Sequence, residues 1–141
     1  MCDALGGITM MGLFGEYSAA FLKVFAVITL VAFSVPIALA PMAWARTLKW
    51  DIDARSDLAL YFGRSLGAVA IVLSCAAWYA AVHPEVQRFF FGMQIGVSLL
   101  VGIVHVVGAI QKVQPWTETA EIVFWAALVV LGLLFFPSVP G

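Results

Sequence analysis

Residues 58–82 read LALYFGRSLGAVAIVLSCAAWYAAV, a run of 25 residues that contains one charged side chain, Arg64. A helix of about 20 apolar residues crosses the roughly 30 Å hydrocarbon core of a bilayer, so this run is long enough to span a membrane. It is too long and too uniformly apolar for a strand of a soluble protein. It also lacks the alternating segments of about ten residues that are typical of a membrane β-barrel. The run therefore predicts a transmembrane helix.

Three further stretches share this character, and the sequence predicts an all-α integral membrane protein, a four-transmembrane-helix bundle with short loops. The predicted spans are residues 24–44, 58–82, 89–110 and 119–136, and residues 137–141 form a short tail. Residues 1–23 are apolar but rich in glycine, which favours an N-terminal interfacial segment or a lead-in to the first span. Because the loops are short, successive helices should pack as antiparallel neighbours. Pro36 and Pro41 predict a kink in the first span.

The composition of the whole chain excludes several classes of protein. Of the 141 residues, 64% are hydrophobic and only 11% are charged, against roughly 25% charged in ordinary soluble domains. A soluble enzyme could not bury so much apolar surface. The net charge of −1 leaves no basic excess to bind a phosphate backbone, so we expect no nucleic-acid partner. Two cysteines, Cys2 and Cys75, cannot build a disulfide framework or a four-ligand zinc site.

Cationic residues are distributed unequally between the two ends of the predicted bundle. The end that carries both termini has Lys23 and Arg88. The opposite end has Arg46, Lys49, Arg55, Arg64 and Lys112. The excess of Lys and Arg places this second end in the cytoplasm, or in the matrix of a mitochondrion, and both termini on the other side. We expect a multi-pass protein of a bacterial or mitochondrial inner membrane.

Ionisable residues from three predicted spans fall at one depth near the cationic end. They are Arg64, His105 and Glu121, with Glu118 three residues before Glu121 on the same helix face. A charge at the bilayer centre costs about 2.5–3.5 kcal/mol, so these side chains should turn inward and share a polar pocket.

Two interpretations of this pocket are open. In a functional one, Arg64 clamps an anionic headgroup or a carbonyl, His105 donates or shuttles a proton, and Glu121 balances charge. In a structural one, the same residues form a buried ion-pair network that fixes the helix register.

A second polar stripe consists of Gln94, Ser98 and Cys75, which lie at similar depths in the second and third spans. No metal site is predicted, because neither Glu-x-x-His nor His-x-x-His spacing occurs. Haem bound by two histidines of one chain is excluded, since His83 lies a membrane away from His105. We therefore predict no cofactor, while a bound lipid or quinone stays an open alternative.

Small residues predict where membrane helices approach closely. Gly63 and Gly67 form one GxxxG pair, Gly92 and Gly96 form another, and Gly102 continues the third span. Depth counting from the second loop places Gly67 opposite Gly102. These glycines favour packing within the chain, with self-association or docking to a larger complex as the alternative.

The sequence contains no nucleotide-binding loop, catalytic triad or internal repeat, so it favours a non-catalytic role. The first hypothesis is an integral subunit of a larger membrane complex, with a packing and assembly role. Its partners would be membrane lipids and other integral membrane subunits, or further copies of itself. The alternative is a membrane protein or enzyme that binds a small hydrophobic ligand, such as a quinone, a sterol or a lipid headgroup, at the Arg/His/Glu cluster. A channel or transporter is disfavoured because no inverted repeat is visible.

Overall fold

The computed structural model describes residues 12–52 and 56–137, and within these ranges it contains five α-helices and no strand. The helices are α1 (Gly15–Leu39), α2 (Pro41–Thr47), α3 (Asp57–Val82), α4 (Pro84–Gln111) and α5 (Trp116–Leu134). Helices α1, α3, α4 and α5 are each long and apolar enough to cross a membrane. The predicted all-α bundle of four long helices is confirmed, and it is the architecture of a multi-pass integral membrane protein.

The first span begins and ends earlier than predicted. Helix α1 starts at Gly15, inside the predicted lead-in segment, and stops at Leu39 instead of continuing to residue 44. The break is at Ala40, whose φ of −138° and ψ of 57° are not helical. A residue before proline is sterically kept out of the helical conformation, and Pro41 then starts α2, where its missing N–H is not needed. Residues 1–11 of the lead-in lie outside the described residues.

A π-helical turn at Leu30–Ser34 directly precedes the proline-containing turn of α1. Pro36 cannot donate a backbone hydrogen bond, and turns of this kind often accompany such interruptions. The Ser34 hydroxyl donates to the Thr29 carbonyl at 2.9 Å and lies 3.1 Å from the Ser74 hydroxyl of α3. Side-chain hydroxyls thus supply hydrogen bonds at the irregular turn, as apolar surroundings require, and they link α1 to α3.

The four long helices form two tightly packed pairs. Helix α1 packs along α3, and α4 packs along α5, whereas far fewer contacts join α3 to α4. A Cβ atom at Gly67 would overlap the backbone of Ala38, so the first pair depends on that glycine. A Cβ atom at Gly102 would lie 3.4 Å from the Trp125 Cβ in the second pair. The predicted contact between Gly67 and Gly102 is therefore absent, because the two glycines belong to different pairs.

Of the three remaining glycines that were predicted at helix contacts, one lies at such a contact and two do not. A Cβ atom at Gly63 would overlap Pro41 at the start of α2, so Gly63 is a close-contact position. Gly92 and Gly96 would meet nothing within 4 Å among the described residues. These two glycines lie on an open face of α4.

A hydrophobic core closes the end of the bundle at which the described chain starts and finishes. Its largest members include Leu22, Phe90 and Phe91, which are almost completely buried. The backbone N–H of Gly12 donates to the Leu133 carbonyl at 2.9 Å, with Gly12 in a left-handed conformation at φ 77° that glycine adopts without strain. Residues 12–14 are therefore fastened to the end of α5.

Candidate functional site

Three ionisable side chains converge at the end of the bundle opposite the hydrophobic core. His105 belongs to α4, and Glu118 and Glu121 belong to the first turns of α5. The His105 Nε2 atom lies 3.0 Å from Glu118 Oε2 and 3.5 Å from Glu121 Oε2. The exposed fractions of the side chains are 12% for His105, 14% for Glu118 and 24% for Glu121, so all three are mostly buried inside the protein. This group is termed the His/Glu cluster.

The orientation of His105 fixes which ring nitrogen faces the carboxylates. Its Nδ1 atom lies 2.8 Å from the carbonyl oxygen of Val101, one turn earlier in α4. A carbonyl only accepts hydrogen bonds, so this contact assigns the proton to Nδ1. In the neutral ring, Nε2 then directs its lone pair at two carboxylate oxygens. This arrangement needs a proton or a metal cation between Nε2 and the carboxylates.

Residues 48–50, which follow α2, contact the first turn of α5 at the His/Glu cluster. The indole Nε1 of Trp50 donates to Glu118 Oε1 at 2.7 Å, and the Thr117 hydroxyl donates to the Leu48 carbonyl. From the other side, the Gln114 amide donates to the His105 carbonyl at 3.0 Å. Trp50 and Gln114, which are not ionisable, therefore help to hold Glu118 and His105 in position.

A cavity of about 440 Å³ separates the two helix pairs and ends at the His/Glu cluster. On α4 its walls run from Phe90 to His105, which is about 22 Å at the helical rise of 1.5 Å per residue. Its walls are mostly apolar. Besides the cluster and the indole N–H groups of three tryptophans, the polar side chains along them are Thr29, Ser34, Ser74, Gln94 and Ser98. The cavity thus has a long apolar body and one strongly polar end.

Arg64 does not take the place predicted for it. Its side chain is exposed, it does not line the cavity, and within residues 12–52 and 56–137 it pairs with no carboxylate. The reason is the rotation of α3 about its own axis. Gly63 faces Pro41 and Gly67 faces Ala38, so Arg64, about 100° further round the helix, points away from the interior.

The second predicted stripe is also divided. Gln94 and Ser98 are buried and hydrogen-bonded to each other at 3.1 Å, and the Gln94 amide also donates to the Leu128 carbonyl at 3.2 Å. Both residues line the cavity. Cys75 is exposed on α3 and does not. The polar stripe therefore consists of Gln94 and Ser98 on α4, and the Leu128 carbonyl of α5 accepts a hydrogen bond from it.

Two tryptophans complete the site, and neither was predicted as part of it. Trp50 lies 68 positions before Glu118, so no local spacing could have revealed their hydrogen bond. Trp125 follows Glu121 by four residues and therefore shares its helix face, a signal that the sequence did contain. Its indole Nε1 is buried beside the Glu121 carboxylate but does not form a hydrogen bond of good geometry with it, and its ring centroid lies 5.9 Å from that of His105.

Comparisons with protein-family models, with curated proteins and with solved structures found no match to this chain. Its function is therefore inferred from the geometry of the cavity and the His/Glu cluster.

Proposed function

We propose that the protein binds one small, elongated and largely apolar ligand in the cavity between the helix pairs, with the polar end of the ligand at the His/Glu cluster. The cavity itself carries this proposal, because its volume of about 440 Å³ falls within the range of roughly 300–1,000 Å³ that is usual for small-molecule sites.

The polar end selects the chemistry of the ligand. Two carboxylates and one imidazole make this end acidic, and Arg64, the predicted clamp for an anion, lies outside it. A phosphate or carboxylate head is therefore disfavoured by charge repulsion as long as no cation compensates the two carboxylates. The buried Trp125 N–H lies beside the Glu121 carboxylate without a well-formed hydrogen bond, and an acceptor on the ligand would supply one. The favoured head is a neutral one that offers an oxygen acceptor, such as the carbonyl of a quinone or the hydroxyl of a sterol.

A route into the cavity leads from the lipid phase across α3. Leu66 and Val69 line the cavity and are nevertheless 61% and 58% exposed. The sparse contacts between α3 and α4 leave the same side of the bundle open. An apolar ligand dissolved in the bilayer would enter there without crossing water.

A pair of substitutions on α4 tests the proposal. Val97 lines the cavity, whereas Leu100 is 67% exposed and does not. The protein is purified in mild detergent and extracted with organic solvent, and the extract is analysed by mass spectrometry. We expect one dominant apolar species at about one per chain, lost in Val97→Trp and retained in Leu100→Trp. Retention by both variants, or an extract with only the composition of the bulk lipid, would contradict the proposal.

The role of integral subunit in a larger complex is a second candidate. The observation that favours it is the open face of α4 at Gly92 and Gly96, since small residues at this spacing allow another membrane helix to approach closely. Native purification tests it: larger membrane partners should co-purify in fixed stoichiometry and be lost in Gly96→Leu. A monodisperse single protein that is unchanged by this substitution would exclude the subunit role.

A further inference from the structure

Three ligand atoms in the His/Glu cluster lie close enough together to hold a small divalent cation. His105 and the two glutamates each offer one atom, and all three atoms lie within 4.8 Å of one another. Zinc binds imidazole nitrogen and carboxylate oxygen at about 2.0–2.2 Å, so two such ligands of a tetrahedral ion lie roughly 3.3–3.5 Å apart. The observed separations of 3.0 and 3.5 Å from His105 Nε2 lie close to that value.

Contacts outside the cluster already hold two of the three side chains in a ligating orientation. Histidines that bind metal donate their other ring N–H to a carbonyl or carboxylate, and His105 Nδ1 does so to Val101. Glu118 accepts the indole N–H of Trp50 on Oε1, which leaves Oε2 free to face Nε2. These bonds fix the nitrogen lone pair and one carboxylate oxygen toward a common point.

The charge of the cluster favours a cation at that point. Glu118 and Glu121 are mostly buried, and no Lys or Arg in the described part of the chain pairs with either of them. Two carboxylates at the edge of an apolar cavity are costly unless a positive charge compensates them. A divalent ion held by all three residues would supply this charge.

We propose that His105, Glu118 and Glu121 bind one divalent transition-metal ion of the Zn²⁺ type, contrary to the expectation from sequence that no metal site exists. Mixed imidazole and carboxylate ligands suit zinc and its neighbours, whereas calcium requires six to eight oxygens. Three protein ligands leave a fourth position open. The three ligands and Trp125 line the same cavity, so a bound water, or the head of a cavity ligand, would complete the coordination.

Cobalt(II) is the probe that tests this site, because it replaces zinc and its visible absorption reports the coordination geometry. The full chain in detergent is stripped with a chelator and titrated with Co²⁺, and then with Zn²⁺. We expect one Co²⁺ per chain with a four-coordinate spectrum, displaced by Zn²⁺. Binding should weaken as the pH falls, because protons compete for the ligand atoms.

Substitutions identify the ligands. His105→Gln, Glu118→Gln and Glu121→Gln should each weaken Co²⁺ binding by more than about 100-fold, beyond the loss typical of outer contacts. Trp50→Phe keeps all three ligands and should weaken binding by about 10–100-fold with the spectrum retained. Glu85→Gln is the matched control, since Glu85 is exposed at the other end of α4 and should bind as the wild type does. Thermal unfolding verifies that each variant is folded.

Two results would overturn the metal proposal. Wild-type protein that binds no stoichiometric Co²⁺ would show that a proton, not a metal, joins Nε2 to the carboxylates. Equal Co²⁺ binding by wild type and His105→Gln would place the ion elsewhere. The Val97→Trp variant separates this proposal from the ligand proposal, because it fills the cavity and leaves the three metal ligands unchanged. It should bind Co²⁺ as the wild type does.

Discussion

At His105, the hydrogen bond from Nδ1 to the Val101 carbonyl decides what the rest of the side chain can do. The two residues are four positions apart, which is about one helical turn, so the bond forms within α4 and needs no other helix. It directs Nε2 across to α5, where Glu118 and Glu121 stand one turn apart. A local contact with the backbone of α4 therefore orients the imidazole ring, and helix α5 supplies the two carboxylates that face it.

Arg64 and Trp50 give opposite predictions for stability. Arg64→Gln should change the free energy of unfolding by less than about 0.5 kcal/mol, because Arg64 is exposed and makes no ion pair with the described residues. Trp50→Phe should cost about 1.5–3 kcal/mol, the value of a hydrogen bond to a charged group. Thermal unfolding in detergent measures both. A large loss in Arg64→Gln would show that Arg64 has a structural partner after all.

The sequence could place part of this site and not the rest. His105, Glu118 and Glu121 were predictable because a four-residue connection joins α4 to α5, so helical spacing and depth bring them together. Arg64 was misplaced because depth alone does not fix the rotation of a helix. That rotation depends on how Gly63 and Gly67 pack against α2 and α1, a tertiary contact that the spacing of residues in α3 does not contain.

Helices α3 and α4 carry the same GxxxG spacing on two different surfaces. On α3 the motif brings α1 within backbone contact, and on α4 it faces open space. The motif predicts that close approach is allowed, but it does not identify the partner. The predicted first span, residues 24–44, shows the same limit: it contains two prolines, Pro36 and Pro41, and the helix is broken only at Ala40, directly before Pro41. Beside Pro36, the Ser34 hydroxyl meets Ser74, 40 positions away, at the π-helical turn.

The two glycine motifs should respond differently to one added methyl group. Gly67→Ala should destabilise the protein by about 1–3 kcal/mol, because the new Cβ overlaps the backbone of Ala38. Gly92→Ala meets nothing within 4 Å and should be neutral or stabilising by up to about 1 kcal/mol through helix propensity. Unfolding measured for both variants in the same detergent provides the comparison. Equal stability of the two would show that α1 and α3 are not in close contact.

At the scale of the whole molecule, the cavity follows from how the helices pair. Successive long helices were predicted to pack as antiparallel neighbours, and all three successive pairs are in contact, but α3 and α4 touch far less than α1 with α3 or α4 with α5. Short loops dictate antiparallel order but not equal contact along each interface. The space between the pairs could not be read from hydropathy, because residues facing a cavity and residues facing lipid are both apolar.

The orientation of the bundle in the membrane is a prediction that labelling can decide. Lys112 follows α4 at the end near the His/Glu cluster, and Glu85 is exposed at the opposite end of the same helix. In a background with Cys2 and Cys75 replaced by serine, a membrane-impermeant maleimide should label Lys112→Cys only from the cytoplasmic or matrix side. Glu85→Cys should react only from the other side. The physical reason is that the Lys112 end carries five Lys and Arg residues, whereas the opposite end carries two.

The reverse pattern would show that the positive-inside rule fails here, and labelling of both positions from one side would contradict a membrane-spanning α4. The predicted pattern has a consequence for the site. It would place the His/Glu cluster about 9 Å inside the cytoplasmic end of α4, six residues before Gln111. A metal ion would then reach the cluster from the cytoplasm or matrix, whereas an apolar ligand would enter from the bilayer beside Leu66 and Val69. The two proposed occupants would thus arrive by separate routes and meet at His105.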